Sequence, residues 1–402
     1  MLITSRQCVW CAGCRQYSAF PHVVRLEGDE LLLSLRQAPV TLSQIHHVHP
    51  RSLITVVRSR DGGRTWDFDS ATQLAAGGGQ ELGMVYLGDG VVAGCLAAHE
   101  STASNERVRM GTRPAVHPSL TPSPPGCAEE EDTGWMSLTY ANQLASWVWS
   151  TNFGITWPLT NHLSVEPTGG PFSRSHSCSA PIVAADGSIF FATYGDGSGG
   201  TTDGYGQAPP SSVLWTSRDQ GRTWEGPITM AQGDSESRGY AEPAIVETKP
   251  GRLLAMYRIE ASKIGQPRRL YWNESLDSGK TWSAPMAAPF LAGACPRLHA
   301  LRDGRILLTY GRRLPPMGLY AALSSTAGHT WSEKPYRIRL TPDSNQGYSS
   351  SVELSDGTIF TTNYASRRAA TRRLRSNGAP YGAVEQDNPT GITGTFWRPP
   401  AV

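Results

Sequence analysis

The chain has 402 residues, including 42 glycines, 29 prolines and 12 tryptophans, and only 17% of it is charged. That mixture suits many short strands joined by tight turns and argues against a helical protein. The net charge of +2 carries no long single-sign run, so composition supports neither a nucleic-acid partner nor a membrane-surface role, and no apolar run reaches the length of a membrane-spanning helix.

The first stretch, MLITSRQCVWCAGCRQYSAF, lacks an apolar leader core and a small-residue cleavage site, which points to a cytoplasmic protein. Seven cysteines (Cys8, Cys11, Cys14, Cys95, Cys127, Cys178, Cys295), an odd number without a leader, predict reduced thiols. Cys8, Cys11 and Cys14 have a metal-like C-x2-C-x2-C spacing, but there is no second CxxC to complete a four-ligand set. The reading is therefore a strand carrying small apolar thiols, with no metal and no cofactor.

From residue 20 onward two motifs alternate. The first is an apolar run, a Gly turn and a second apolar run. Its six copies are PHVVRLEGDELLLSLR, LGMVYLGDGVVAGCLA, APIVAADGSIFFATYG, PAIVETKPGRLLAMYR, RLHALRDGRILLTYGR and SSVELSDGTIFTTNYA. A glycine turn between alternating runs is a hairpin signal. The second motif is an Asp-box turn, found five times: Ser59–Trp66, Ser150–Trp157, Ser217–Trp224, Ser275–Trp282 and Ser324–Trp331. In such a turn the Asp or Asn side chain accepts from nearby backbone N–H groups, Gly supplies a positive φ, and Trp packs its ring on the sheet.

Each unit thus reads as strand A, turn, strand B, variable loop, strand C, Asp box, strand D. Six units predict an all-β fold, a six-bladed β-propeller of four-stranded antiparallel blades, as a single domain over residues 1–402. The sixth unit has no Asp box and ends in NPTGITGTFW; the N-terminal MLITSRQCVW is expected to complete the sheet beside it.

An up-and-down blade sorts its loops by face. The start of strand A, the end of strand B and the B–C loop share one face, while A–B turns and Asp boxes share the other. Counting nine residues back from each A–B turn Gly gives Glu81, Cys178, Glu242, Cys295 and Tyr348, with Phe20 the nearest equivalent in the first unit. At strand B ends stand Arg36, His99, Arg258 and the pair Arg312 and Arg313, and Arg297 follows Cys295 by two residues. The first B–C loop, QIHHVHPRS, carries His46, His47 and His49. A face rich in Arg, Glu, His and Tyr suits an anionic ligand, because the guanidinium fork matches a carboxylate. An inner-strand Glu is either functional or tied to an Arg. On the same face lie a Pro-rich insertion, about residues 101–134, that reads as a lid or a mobile segment, and the basic stretch Arg367–Arg375, which reads as solvated surface.

These residues resemble the sialidase (neuraminidase) superfamily, specifically bacterial BNR/Asp-box repeat sialidase-like proteins. The segment EPAIVETKPGRLLAMYR is similar to the family's E-x-x-V-x-E-L-x-D-G-x-x-x-x-x-x-R, and GYSSSVELSDGTIFTTNY to its Y-S-x-x-x-x-L-x-D-G. The resemblance implies that Tyr348 is a nucleophile, that Glu242 is its base, and that Arg258, with Arg312 or Arg313, contacts a substrate carboxylate. Two positions depart from the family. Ala19 stands where an R-I-P segment places an arginine, and the first B–C loop offers His47 and His49 where the family has an acid/base Asp. Arg36 is a candidate replacement for the missing arginine, and His47 or His49 for the proton donor.

The activity implied is exo-acting hydrolysis that releases a terminal acidic sugar, with Glu81 and Arg297 as further candidate substrate contacts. Two alternatives stay open: a polysaccharide lyase or other enzyme on uronic-acid glycans that uses Tyr and His, and a non-catalytic carbohydrate-binding propeller. The expected partner is an acidic glycan or sugar acid, with no nucleic acid and no membrane, and the expected state is a monomer.

Overall fold

The computed structural model describes residues 1–10, 16–39, 52–74, 79–103, 138–157, 162–164, 179–195, 209–233, 238–261, 269–291, 293–366 and 390–400. Their regular structure is all β. In chain order the strands are β1 (Leu2–Trp10), β2 (Gln16–Arg25), β3 (Leu31–Pro39), β4 (Leu53–Ser59) and β5 (Asp67–Leu74); β6 (Gly79–Gly88), β7 (Val91–Ala103), β8 (Leu138–Ser150) and β9 (His162–Ser164); β10 (Ile182–Val183), β11 (Ile189–Gly195), β12 (Ser211–Ser217) and β13 (Glu225–Ala231); β14 (Arg238–Lys249), β15 (Arg252–Ala261), β16 (Arg269–Ser275) and β17 (Met286–Leu291); β18 (Pro296–Ala300), β19 (Ile306–Arg312), β20 (Gly318–Ser324) and β21 (Tyr336–Leu340); and β22 (Gln346–Glu353), β23 (Ile359–Ser366) and β24 (Thr390–Arg398). Among the described residues no helix is long and apolar enough to cross a membrane.

The architecture is a β-propeller, but the expectation of six separate four-stranded blades is corrected. Four four-stranded antiparallel sheets form, β6–β9, β10–β13, β14–β17 and β18–β21. The remaining strands make one eight-stranded sheet, in the order β22-β23-β24-β2-β3-β4-β5, with β1 also paired to β24. The cause is a parallel bridge between β2 and β24 at Tyr17 and Thr390, reinforced by the Thr390 hydroxyl, which donates to the Ser18 carbonyl at 2.7 Å. A second correction concerns Cys8, expected as a reduced thiol. It is disulfide-bonded to a partner outside the described residues, whereas Cys95 and Cys295 are buried and in no disulfide.

Burial follows position in the sheet. The middle strands β11, β12 and β20 are buried along their whole length, and β12, SSVLWTS, keeps four hydroxyl residues there. The outer strands β17 and β21 alternate between buried and open positions. Adjacent sheets interlock through aromatic side chains. Trp147 of β8 meets Phe191 of β11 and Trp224 edge-on, the latter at 4.8 Å between ring centroids, and such a pair adds about 0.5–1.5 kcal/mol beyond the area it buries.

The Asp boxes repeat one hydrogen-bond pattern. In the first, Gly63 N–H donates to Ser59 Oγ at 2.7 Å, Thr65 N–H to Asp61 Oδ1 at 2.8 Å, and Trp66 Nε1–H to the Gly63 carbonyl at 3.0 Å. In the fifth copy Thr326 Oγ1 replaces the carboxylate and accepts from Thr330 N–H at 2.8 Å, and Trp331 Nε1 is buried with no hydrogen-bond partner among the described residues. The boxes also bond to the A–B turns: Gly62 N–H donates to Asp29 O, Phe153 N–H to Gly90 O and Ser278 N–H to Gly251 O. Both kinds of turn therefore lie on one face, and the A-strand starts lie on the other.

Candidate functional site

Three inner strands carry the same irregularity. Register shifts fall between Ala19 and His22 on β2, Ala241 and Ala244 on β14, and Gly347 and Ser350 on β22. At each bulge one non-glycine residue adopts a left-handed backbone: Phe20 (φ 52°), Glu242 (φ 49°) and Tyr348 (φ 49°). Bulges re-aim side chains, and a residue held in this region costs about 1–3 kcal/mol, which the surrounding sheet must offset. The chain thus places Phe20, Glu242 and Tyr348 in one strained conformation at one level of the propeller.

Glu242 is the centre of the cluster and only 1% exposed. Its Oε1 accepts from Arg258 Nη1 at 2.7 Å and from the Tyr348 hydroxyl. Its Oε2 is buried and accepts no hydrogen bond among the described residues. Arg258 is supplied by β15, where it stands opposite Ala241 in the ladder, so the ion pair joins two adjacent strands of one sheet. Tyr348 arrives from β22, and its ring rests edge-on against Phe20 at 4.7 Å.

The two arginines at the end of β19 part company. Arg312 folds back on its own loop, donating to the Leu314 and Pro315 carbonyls, and lies over the Tyr320 ring. Arg313 donates to the Gln346 carbonyl beside Tyr348. Its pKa is raised even though burial acts to lower it, because Tyr364, Tyr348 and Glu242 stabilise the cation against the repulsion of Arg258. Arg313, not Arg312, belongs to the Glu242 cluster.

Glu81 and Arg297 form a second buried pair, at 3.0 Å, that links β6 to β18 across 216 residues of sequence. Arg297 Nη1 also donates to Cys295 Sγ at 2.6 Å, and Cys295 donates to the Glu242 carbonyl at 3.9 Å, which connects the two pairs. Burial pushes the Cys295 thiol pKa well up, against the pull of Arg297. Arg36 is fully buried: its Nε donates to the Gly79 carbonyl at 3.2 Å and its guanidinium lies over the Tyr17 and Phe20 rings. It braces β3 against β6, opposite Ala19 in the ladder. His46, His47, His49 and Cys178 lie outside the described residues, as do the side chain of His99 and most of the insertion near residues 101–134.

Two parts of this region carried no signal in the sequence. Tyr17 and Tyr364 back the Tyr348 and Phe20 rings as a buried aromatic floor, with centroids 5.5 Å apart for Phe20–Tyr364 and 6.0 Å for Tyr348–Tyr364. His22 is buried beside Arg297; its Nδ1 accepts from Met84 N–H at 3.0 Å. Burial, and then the Arg297 charge, lower its pKa to about 3. Among the described residues no group of three His, Cys, Asp or Glu is placed to hold a metal ion.

The class is now defined: a β-propeller in which a phenol and a carboxylate from two inner strands meet an arginine of the neighbouring strand β15. A sequence model of the BNR repeat-like domain matches residues 128–361, more than half of the chain, and the chain belongs to that family. No curated protein matches it. Among solved structures it is similar to a Dyadobacter fermentans protein of unknown function, at 20% identity and a TM-score of 0.73 over 98% of each chain. It is also similar to the Hadza microbial sialidase Hz136, at 16% identity and a TM-score of 0.58 over 98% of this chain and 68% of that one. A Penicillium chrysogenum α-L-arabinanase matches at 11% identity and a TM-score of 0.57 over 98% of each chain. At these identities the likeness is one of fold, and a fold that includes both a sialidase and an arabinanase leaves the substrate to the side chains.

Proposed function

We propose that the protein is a carbohydrate-acting hydrolase of the sialidase type, removing a terminal acidic sugar, sialic acid or a relative, from a glycan. The observation that carries this reading is the Glu242 carboxylate, which bridges the Tyr348 hydroxyl and the Arg258 guanidinium inside a buried cluster. A phenol needs a base to become a nucleophile, and the Tyr348–Glu242 hydrogen bond supplies one. A neutral phenol also approaches an anionic substrate without the repulsion a carboxylate nucleophile would meet, and a tyrosine nucleophile is the known exception among glycosidases.

In this mechanism the Tyr348 oxygen attacks the anomeric carbon and its proton passes to Glu242. The glycosidic bond breaks, and the departing oxygen takes a proton from the site-face acid, a role the sequence offers to His47 or His49. Water then attacks the same carbon of the glycosyl–tyrosine and gives a proton back to that residue. Tyr348 leaves and recovers its proton from Glu242. Arg258 and Arg313 hold the sugar carboxylate throughout.

Purified protein incubated with a fluorogenic sialoside and with uronate-capped oligosaccharides tests the reading. Release of fluorophore or of the terminal sugar acid supports it. Appearance of an unsaturated uronate instead makes the protein a lyase. Binding of sugar acids with no turnover makes it a lectin-like propeller, the outcome that Ala19 at the clamp position favours.

A further inference from the structure

The outermost strands β21 and β1 meet along the seam between two neighbouring sheets: β21 is the last strand of its sheet, and β1 pairs with β24 at the rim of the next. Ile338 of β21 is fully buried in this seam, in one apolar cluster with Trp397 and Leu319, and Ile3 and Tyr336 pack at its edge. A regular strand would turn Arg339 away from the seam, because neighbouring side chains alternate. The β20–β21 ladder instead shifts register between Leu319, opposite Arg339, and Tyr320, opposite Arg337. The bulge re-aims the chain, so that Arg339 stands opposite a residue of the seam cluster, on the same side as Ile338. Arg6 of β1 reaches in from the other wall, and its Nη2 donates to the Ile338 carbonyl at 3.0 Å. Two guanidinium groups therefore share one groove. Arg6 is exposed and Arg339 partly so, yet Arg339 Nη1 is enclosed and has no hydrogen-bond partner among the described residues. Burial first, and then the charge of Arg6, lower the Arg339 pKa, and among the described residues no carboxylate offsets them. A partly desolvated cation beside a like charge is costly unless an anion sits with them.

We propose that this groove is a second anion-binding site, in which Arg6 and Arg339 together hold a carboxylate of an acidic glycan chain. Guanidinium forks match a carboxylate, and the partly buried Tyr336 beside them offers a ring to a sugar face. The groove lies on the outer wall, three strands out from the inner strand of its sheet, or roughly 14 Å at about 4.8 Å per strand. It therefore takes a part of the polymer other than the sugar at the Glu242 cluster. The glycan as carrier of the anion rests on the acidic-sugar reading above; the pairing of the two arginines does not.

Calorimetric titration of polysialic acid, inorganic sulfate and neutral dextran into Tyr348→Phe protein, with and without Arg339→Gln, tests it; the first substitution keeps the polymer uncut. Loss of one charge-assisted contact weakens binding of polysialic acid and of sulfate by roughly tenfold to a hundredfold, while dextran binds neither protein. With Tyr348 intact, Arg339→Gln leaves kcat and KM for a small fluorogenic sialoside within about twofold, because the groove lies outside the reacting groups. In low-salt chloride its melting temperature matches or exceeds that of wild type, since one of two like charges is gone. Equal affinity for both anions in the two proteins overturns the site. If only sulfate binding falls, the groove takes free anions and the glycan assignment is overturned. Arg339→Glu, which can pair with Arg6, is a second folded variant expected to bind neither anion; retained binding there also overturns the site. A wild type that fails to cleave the sialoside yet binds polysialic acid through Arg339 sinks the hydrolase reading and leaves this site standing.

Discussion

Glu242 and Glu81 occupy the same register on their inner strands, and each is paired with an arginine, yet their surroundings differ. The Glu242 pair is local, made between adjacent strands of one sheet, and the same carboxylate oxygen also accepts from a phenol. The Glu81 pair spans two sheets far apart in sequence, and its arginine is further engaged by a cysteine thiol, with a neutral histidine beside it. A charge held by its own sheet can take part in chemistry without straining the assembly. A charge that ties two sheets together is part of the assembly. A buried carboxylate is informative through its partners more than through its position.

Three experiments press on that contrast. The largest effect is expected from Tyr348→Phe, which removes the group that Glu242 would activate; turnover should fall by at least about ten-thousandfold, over 5 kcal/mol of barrier, while sugar-acid binding and melting temperature hold. Turnover close to wild type would remove the Glu242 cluster from the chemistry. Next is Arg297→Ala. Breaking a buried pair from one side costs about 3–5 kcal/mol, read as a lower urea midpoint, and activity per folded molecule should stay near wild type. Collapse of kcat with stability intact would instead place Glu81 and Arg297 among the reacting groups.

The smallest effect concerns His22, whose folded pKa of about 3 lies below its unfolded value near 6.5. Between those values the unfolded chain binds the extra proton, so stability is full above about pH 6.5 and falls as the pH drops toward about 3, by a few kcal/mol at most. His22→Gln, which keeps an acceptor for the Met84 N–H, should flatten that part of the stability–pH curve measured by urea titration. An unchanged curve would show that His22 is not held neutral beside Arg297.

Much of this molecule is legible in its sequence, and the reason is repetition. Five Asp boxes and six hairpins fix strand order and faces because each copy confirms the others. Counting back from the turn glycines puts Phe20, Glu81, Cys178, Glu242, Cys295 and Tyr348 into one set, and three of the six, Phe20, Glu242 and Tyr348, share the left-handed backbone at inner-strand bulges. What escapes such a reading is what happens once. The fusion of the outermost units into an eight-stranded sheet depends on a single parallel bridge at Tyr17 and Thr390, which leaves no periodic trace. The Glu81–Arg297 pair joins residues too distant for any local pattern. Tyr364 lies in a strand buried along its whole length, where no alternation singles it out. Arg312 and Arg313 look equivalent in sequence, and only the carbonyls each one reaches separate them.

The bridge at Tyr17 and Thr390 has a bearing on synthesis. β24 pairs with β23, β1 and β2, so a strand near one end of the sequence is the hydrogen-bonding partner for two near the other. While the chain is being translated those early strands wait with an open edge, and contacts of such long separation form slowly. The same seam brings Phe20 and Tyr17 against Tyr348 and Tyr364. The aromatic packing around Tyr348 is therefore completed by strands from both ends of the sequence, and its last contacts wait on closure of the seam.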